Sequence, residues 1–324
     1  MLALKEVTEI IKTRIHQLDF NGAPKELYEP IKYTLNLGGK RLRPALCLLA
    51  CDMVGGKVEK AVLPAIGIEI FHNFTLLHDD IMDNALIRRG KQTVHKKWND
   101  NVAILSGDTM MALSYEYIMK APEHVRSTVF SVFNKTAIEV CEGQQYDMNF
   151  ESDDHVTIVD YLEMIRLKTA VLLAGSLKIG ALIGGAEMKV ANDLYRFGEN
   201  MGIAFQLKDD LLDVFSDVEK FGKTSGGDIV ANKKTYLYLR AFELAEGETL
   251  KNLSRIFSDK NMLPEKKIKQ VKEIYQELDI NNETGRLIDH YYHLAMKALS
   301  EIKLPEKNKK PILHFANQLK ERVS

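Results

Sequence analysis

Apolar residues recur at three- and four-residue intervals over long stretches of the chain, and alternating runs of strand type are hard to find. That period predicts helices over residues 2–18, 24–36, 42–54, 58–84, 100–119, 123–149, 157–184, 188–215, 232–245, 264–278, 283–301 and 307–322. Gly38-Gly39, Gly55-Gly56 and Gly184-Gly185 fall where such helices stop, because glycine accepts the left-handed conformation after a helix end. No unit repeats every 20–50 residues, and no low-complexity linker divides the chain. The expectation is an all-α protein with a single domain over residues 1–324. Ser216 to Lys234, rich in Gly, Asp and Lys, is the expected mobile loop.

The most membrane-like run, Ala170 to Ala186, is interrupted by Lys178 and is rich in Gly and Ala, which suits a buried helix–helix contact better than a membrane span. Lys5, Glu6 and Glu9 leave no room for the apolar core of a secretory signal, so a cytoplasmic location is expected. Hydrophobic residues make up 45% and charged residues 27%, enough for a large core. With 44 basic against 45 acidic residues, no global field favours nucleic acid or an anionic membrane, so charged ligands must be met by local clusters. Cys47, Cys51 and Cys141 form no disulfide framework, and the first two read as small buried hydrophobes in a reducing setting.

The chemistry begins with one acidic pattern that occurs twice. Asp79-Asp80-Ile81-Met82-Asp83 ends one predicted helix, and Asp209-Asp210-Leu211-Leu212-Asp213 lies near the end of another. In each, the first and last aspartates are four apart and share a helix face. Carboxylates near a helix C-terminus oppose its macrodipole, so neither cluster serves the helix that bears it. One cluster alone reads as an acidic helix end. Two copies on separate long helices read as hard oxygen ligands for Mg²⁺, which prefers a few carboxylates completed by substrate phosphates.

Cationic residues supply the counterpart. Gly38-Gly39-Lys40-Arg41-Leu42-Arg43-Pro44 sets three basic side chains at a loop-to-helix junction, where amide donors also favour an anion. Arg88-Arg89-Gly90 follows the first acidic motif, and Lys168-Thr169, Lys223, Lys233 and Lys234 add positive charge further on. Each of these alone is an ordinary surface group.

Their order is what carries a resemblance. GGKRLRP at Gly38–Pro44, LHDDIMD at Leu77–Asp83, Arg88-Arg89-Gly90, Lys168-Thr169 and FQLKDDLLD at Phe205–Asp213 closely resemble the trans-type isoprenyl diphosphate synthases. Gly222-Lys223, Gly227-Asp228 and Asn232-Lys233-Lys234-Thr235 look like that family's substrate-capping loop. The resemblance covers roughly residues 35–240, and the chain beyond Leu250 adds little to it. It implies a large helical bundle with a central substrate cavity, and a short-chain prenyltransferase that couples an allylic diphosphate to isopentenyl diphosphate. The implied product is C20, with C15 next.

The same resemblance implies roles for residues. Asp79 and Asp83 would hold two Mg²⁺ ions and Asp209 a third, with Asp80, Asp210 and Asp213 supporting them; Mn²⁺ could replace Mg²⁺. Arg88, Lys168, Thr169, Gln206, Lys223 and Lys233 would face the allylic diphosphate or the cation formed from it. Lys40, Arg43, His72 and Arg89 would hold isopentenyl diphosphate. The growing chain would run down from the aspartates towards a floor of Phe74, Thr75 and Phe71. On an ideal helix Phe74 points roughly 140° away from Asp79, which favours Phe71 and Thr75, whereas the family pattern points to Phe74. Leu86 stands where many relatives carry proline, and Lys208 where Gly, Gln or Met is commoner. Family habit and the Gly/Ala-rich helix Leu172–Gly185 suggest a homodimer.

Other readings have their own signals. Glu69-Ile70-Phe71-His72 matches the Glu-x-x-His unit of di-iron bundles, but a second unit is lacking. Gly222-Lys223-Thr224 copies the end of a P-loop, with Asp217 where its first glycine belongs. His78 reads as a helix-end polar residue. A class I terpene cyclase would resemble this architecture and share the first aspartate motif but not GGKRLRP, and a non-catalytic helical partner would have lost aspartates that are intact here.

Overall fold

A computed structural model describes residues 1–215 and 226–321. Its helices are α1 (Leu4–His16), α2 (Lys25–Asn36), α3 (Leu42–Met53), α4 (Glu59–Met82), α5 (Val94–Lys97), α6 (Asp100–Ile118), α7 (Glu123–Phe150) and α8 (Ile158–Ile165). After a π-helical turn at Arg166–Ala170 come α9 (Val171–Ile183), α10 (Met188–Phe215), α11 (Gly227–Val230), α12 (Tyr236–Leu244), α13 (Gly247–Ser258), α14 (Pro264–Glu277), α15 (Ile280–Glu301) and α16 (Glu306–Glu321). The β structure among the described residues is one two-stranded hairpin, β1 (Ile87–Arg88) and β2 (Lys91–Gln92), which pairs Ile87 with Gln92 and Arg88 with Lys91.

The predicted helices form, most of them within two or three residues of their expected ends. α8 starts where a capping box sets it: Asp160 N–H donates to Thr157 Oγ1, and Thr157 N–H donates to Asp160 Oδ2. Several elements differ from expectation. The 157–184 helix is broken by the π turn, the hairpin and α5 fall between the helices expected over 58–84 and 100–119, α11 forms within the stretch expected as a loop, and α13 lies between the helices expected over 232–245 and 264–278. The last has a short amphipathic signal, with Leu253 and Ile256 one turn apart and both buried.

Residue contacts gather into two compact units, each drawn from three stretches of sequence. The first comprises Met1–Lys135, Gly175–Tyr195 and Ile302–Phe315, and the second Thr136–Ala174, Arg196–Glu301 and Ala316–Ser324.

In the first unit α4 is the axis, packed on α1, α2, α3, α5 and α6. By length and composition α4 could cross a membrane, yet 67% of its apolar window is buried by these neighbours. The Gly/Ala-rich α9 makes the expected helix–helix contact: a Cβ on Gly180 would lie 1.9 Å from the Cys47 carbonyl oxygen of α3. That closeness corrects one expectation. The small residues around Gly180 are engaged inside this chain, so they give no reason for a dimer. Cys47 and Cys51 are buried as expected, and burial raises both thiols, Cys51 to about 12.

In the second unit α12 packs on α8, α14 and α15, and α14 on α11, α13 and α15. Leu237 and Ala241 of α12, Leu253 and Ile256 of α13, and Val271 and Tyr275 of α14 form its buried core. The chain beyond Leu250, weakly informative as sequence, is therefore the foundation under residues 226–244.

Candidate active site

The first unit holds a cationic corner at the start of α3. Gly39, at φ +122°, leaves space that a Cβ would deny, because it would sit 2.8 Å from the Arg89 guanidinium carbon. Arg89 reaches this corner from the hairpin and donates to the Gly38 carbonyl. Arg43 Nη1 lies 3.2 Å from His72 Nε2; a guanidinium only donates, so that imidazole nitrogen accepts. Burial first, then the charges of Arg43, Arg89, Arg41 and Arg88, hold His72 well below the usual histidine range. His72 is thus a neutral imidazole among four arginines. Arg43, His72 and Arg89 come together as expected, and Lys40 is exposed beside them.

The third basic residue of this segment has another task. Arg41, left-handed at φ 51° and 6% exposed, forms an ion pair with Glu69 and donates to the Leu35 carbonyl. Asn73 Nδ2 donates to the same Glu69 oxygen at 2.9 Å. The Glu-x-x-His signal therefore divides: Glu69 anchors the α3 junction from within, while His72 serves the corner. His78 is tied to α6, 3.3 Å from the Ile104 carbonyl oxygen, in keeping with a helix-end polar role.

At the end of α4 the three aspartates diverge. Asp83 is exposed and Asp79 partly so, and the Asp83 N–H donates to the Asp79 carbonyl in the last helical turn. Asp80 turns inward and accepts from Arg88 Nε at 2.7 Å. Burial pushes the Asp80 carboxyl up against the pull of Arg88. Further back on α4, Phe71 is fully buried between Phe74 and Phe133, with ring centroids 5.6 and 5.4 Å away. Phe74 is only partly buried and stands 4.7 Å from the His78 ring, while Thr75 Oγ1 donates to the His72 carbonyl. Ideal-helix geometry favours Phe71 over Phe74 for the floor; in the packing Phe71 is the fully buried residue and Phe74 the partly exposed one.

The second unit contains a cleft of about 430 Å³, lined among others by Asp147, Lys168, Thr169, Gln206, Asp210 and Lys233. Lys168 and Thr169 lie in the π turn, a distortion that often marks functional sites. A Cβ on Gly143 of α7 would lie 2.2 Å from the Lys168 backbone nitrogen, so α7 fits against the widened turn only through glycine. Lys168 Nζ meets Asp147 Oδ2 at 2.6 Å. Thr169 Oγ1 donates to Gln206 Oε1 at 3.1 Å, and Gln206 Nε2 to Asp210 Oδ1 at 2.9 Å. The buried Tyr161 hydroxyl completes the chain by donating to Asp210 Oδ2.

The second aspartate motif also divides its labour. Asp209 is exposed. Asp210, in spite of its two donors, is pushed up to about 6 by burial. Asp213 Oδ2 accepts from the Asp228 N–H at 3.0 Å and so holds the start of α11. Burial, with Asp210 and Asp213 adding to it, raises Asp228 to about 7. The acidic group that acts on Lys208 is Asp289 of α15, though burial outweighs it and lowers the lysine pKa. Lys223, expected among the diphosphate contacts, lies outside the described residues, as do Gly222 and Thr224.

These carboxylates can be weighed as metal ligands. All six offer hard oxygens: Asp83 and Asp209 are exposed and Asp79 partly so, and Asp80 accepts from Arg88, Asp210 from Tyr161 and Gln206, and Asp213 from the Asp228 backbone. Among the described residues no three His, Cys, Asp or Glu side chains converge as an all-protein cage requires. The donor chemistry fits a cation such as Mg²⁺ that takes a few carboxylates and completes its shell with phosphate oxygens and water.

The sequence model of polyprenyl synthetases matches residues 24–278. The chain belongs to the polyprenyl synthetase family. A geranylgeranyl diphosphate synthase of Methanosarcina mazei is 46% identical over 222 residues, 68% of each chain. A crystal structure of a geranylgeranyl pyrophosphate synthase superposes with TM-score 0.94 at 42% identity, covering 98% of both chains. The synthetase from Pyrococcus horikoshii gives TM-score 0.91 at 34% identity, covering 98% of this chain and 97% of that one. The fold is thus the all-α isoprenoid synthase fold, and the protein is a trans-prenyltransferase of isoprenoid biosynthesis. Membership sets aside the di-iron and P-loop readings and disfavours the cyclase.

Within the polyprenyl synthetase site, sequence reasoning missed Asp147, Tyr161 and the cleft-facing role of Asp228. Asp147 had a usable signal, since it follows Gly143 by one helical turn on the face that meets Lys168. Tyr161 had none, because only the fold brings it to Asp210.

Proposed function

We propose that this prenyltransferase joins an allylic diphosphate to isopentenyl diphosphate and releases a C20 diphosphate. The observation that carries this reading is the corner where Arg43 meets His72 and Arg89 meets the Gly38 carbonyl, a positive site suited to a diphosphate and separate in sequence from the cleft with Lys168 and Lys233. Lys40, Arg43, His72 and Arg89 hold isopentenyl diphosphate. Lys168 and Lys233, with Arg88, face the allylic diphosphate. The geranylgeranyl names of the relatives support the C20 product.

In the reaction the allylic carbon–oxygen bond breaks and its electron pair leaves with the diphosphate. Cationic side chains stabilise that growing charge more than they stabilise the ester. The lone pairs of Thr169 Oγ1 and the Gln206 carboxamide face the allylic cation as dipoles that do not attack it. The isopentenyl double bond then supplies the electrons of the new carbon–carbon bond, and the released diphosphate takes the proton. Asp79, Asp83 and Asp209 would hold Mg²⁺, as many as three ions, which when bound would supply further positive charge to the departing diphosphate. We also propose one catalytic domain over residues 1–324, acting in the cytoplasm as a homodimer. The threefold interleaving of the units supports the first of these, and the free cysteines the second. Chromatography of the products from dimethylallyl, geranyl and farnesyl diphosphate, each supplied with isopentenyl diphosphate, tests the function. A C20 product is expected from every primer; a cyclised hydrocarbon formed without isopentenyl diphosphate would refute it.

A further inference from the structure

α11 ends at Val230 in a Schellman motif: the Lys233 N–H donates to the Asp228 carbonyl at 2.9 Å and the Asn232 N–H to that of Ile229 at 3.3 Å. Asn232 is the left-handed residue, at φ 55°. Asparagine tolerates that conformation better than most residues, but nothing in the four-residue helix itself fixes it. The constraint comes from below. Lys267 of α14 is 6% exposed, and its Nζ donates to Asn232 Oδ1 and lies 3.5 Å from the Val230 carbonyl oxygen. Asn232 Nδ2 in turn donates to the Phe257 carbonyl of α13 at 3.3 Å. The Lys267 ammonium also stands 5.2 Å from the Phe257 ring, which packs 4.8 Å from Tyr238 and 5.9 Å from Phe242 of α12. Two helices, α13 and α14, thus hold one asparagine, and the next residue, Lys233, lines the cleft.

We propose that Lys267 is a positioning residue for the reaction: through Asn232 it sets the turn that presents Lys233 to the allylic diphosphate. A lysine is an expensive group to bury merely for packing. Here it occupies a carbonyl at a helix end and the side chain that fixes the left-handed residue before Lys233. The proposal rests on assigning the cleft to the allylic substrate.

Steady-state kinetics with each substrate varied in turn, alongside thermal unfolding, tests it on the full chain. Lys233→Ala reports on the cleft itself, and Lys267→Met and Asn232→Gly report on the clamp; glycine keeps the φ 55° turn while deleting the acceptor. Both clamp variants should raise KM for the allylic diphosphate about tenfold and leave KM for isopentenyl diphosphate within about twofold. Adding Lys267→Met to Lys233→Ala should cost little more, because both act on one contact. Lys267→Arg should recover part of the loss. If Lys233→Ala shifts the allylic KM and neither clamp variant does, Lys267 has no positioning role. A loss of Tm with equal changes for both substrates would make it a purely structural residue and overturn the proposal. If Lys233→Ala itself leaves the allylic KM unchanged, the cleft assignment fails and the proposal with it.

Discussion

Thr169 Oγ1 donates a hydrogen bond to Gln206 Oε1 across 3.1 Å, which commits the other end of the Gln206 amide, Nε2, to Asp210. The amide is oriented by both neighbours, so its dipole is fixed before substrate arrives, and preorganised dipoles need no rearrangement as charge develops. Thr169→Val, similar in shape but without the donor, should lower kcat by about tenfold, and Gln206→Ala by about a hundredfold. Tm should change little in either case. Unchanged kcat in Thr169→Val would show that the orientation of Gln206 does not matter to the chemistry.

Removal of divalent metal by excess chelator should abolish activity, and added Mg²⁺ or Mn²⁺ should restore it. Asp79→Ala or Asp209→Ala should lower kcat by about 10³-fold, the scale of losing a principal electrostatic stabiliser. Asp80 and Asp210 are engaged by Arg88 and Tyr161, so their replacement should also lower Tm. Full turnover in chelator would exclude the metal role.

The two diphosphate sites should separate by kinetics. Arg43→Ala and Arg89→Ala should mainly raise KM for isopentenyl diphosphate, by tenfold or more on the scale of a lost charge-assisted hydrogen bond at about 1.5–3 kcal/mol. Lys168→Ala should act on the allylic substrate or on kcat. Equal effects of all three on both substrates would erase the partition.

His72 gives the stability a pH dependence with a definite sign. Its folded-state pKa lies well below the unfolded value, so the unfolded chain binds the extra proton as pH falls. The stability due to neutral His72 is complete above an unfolded pKa of about 6.5 and is lost below it, with a slope of at most about 1.4 kcal/mol per pH unit. Unfolding by denaturant at pH 5 and 7.5 should therefore show a shallower difference for His72→Gln than for the parent. An identical difference would mean that His72 is not held neutral.

Product length should respond to Phe74 before Phe71. Phe74→Ala removes a partly buried ring and should extend products beyond C20. Phe71→Ala empties a fully buried site between Phe74 and Phe133, which costs roughly 3–5 kcal/mol and should show first as a lower Tm. Longer products from Phe71→Ala alone would return the floor to the ideal-helix position.

Much of this protein was determined by local sequence. The 3.6-residue apolar period and the glycine stops specify α1 to α4, α6, α7 and α10 to within a few residues, because helix hydrogen bonds and the buried stripe are properties of near neighbours. The aspartate pairs and the GGKRLRP segment announced carboxylate and anion chemistry for the same reason. Which member of each motif does which task was decided only by tertiary packing. Arg41 and Arg43 are two residues apart, yet one is buried on Glu69 and the other meets His72. Asp209 and Asp210 are adjacent, yet Tyr161, 49 positions earlier, takes only the second. The π turn lies against α7 at Gly143, where a Cβ would not fit, and Asn232, next to Lys233, is held by Lys267, 35 positions beyond it. Such partners leave no periodic trace, because a hydrogen bond across the fold constrains two points in space and nothing in the sequence between them.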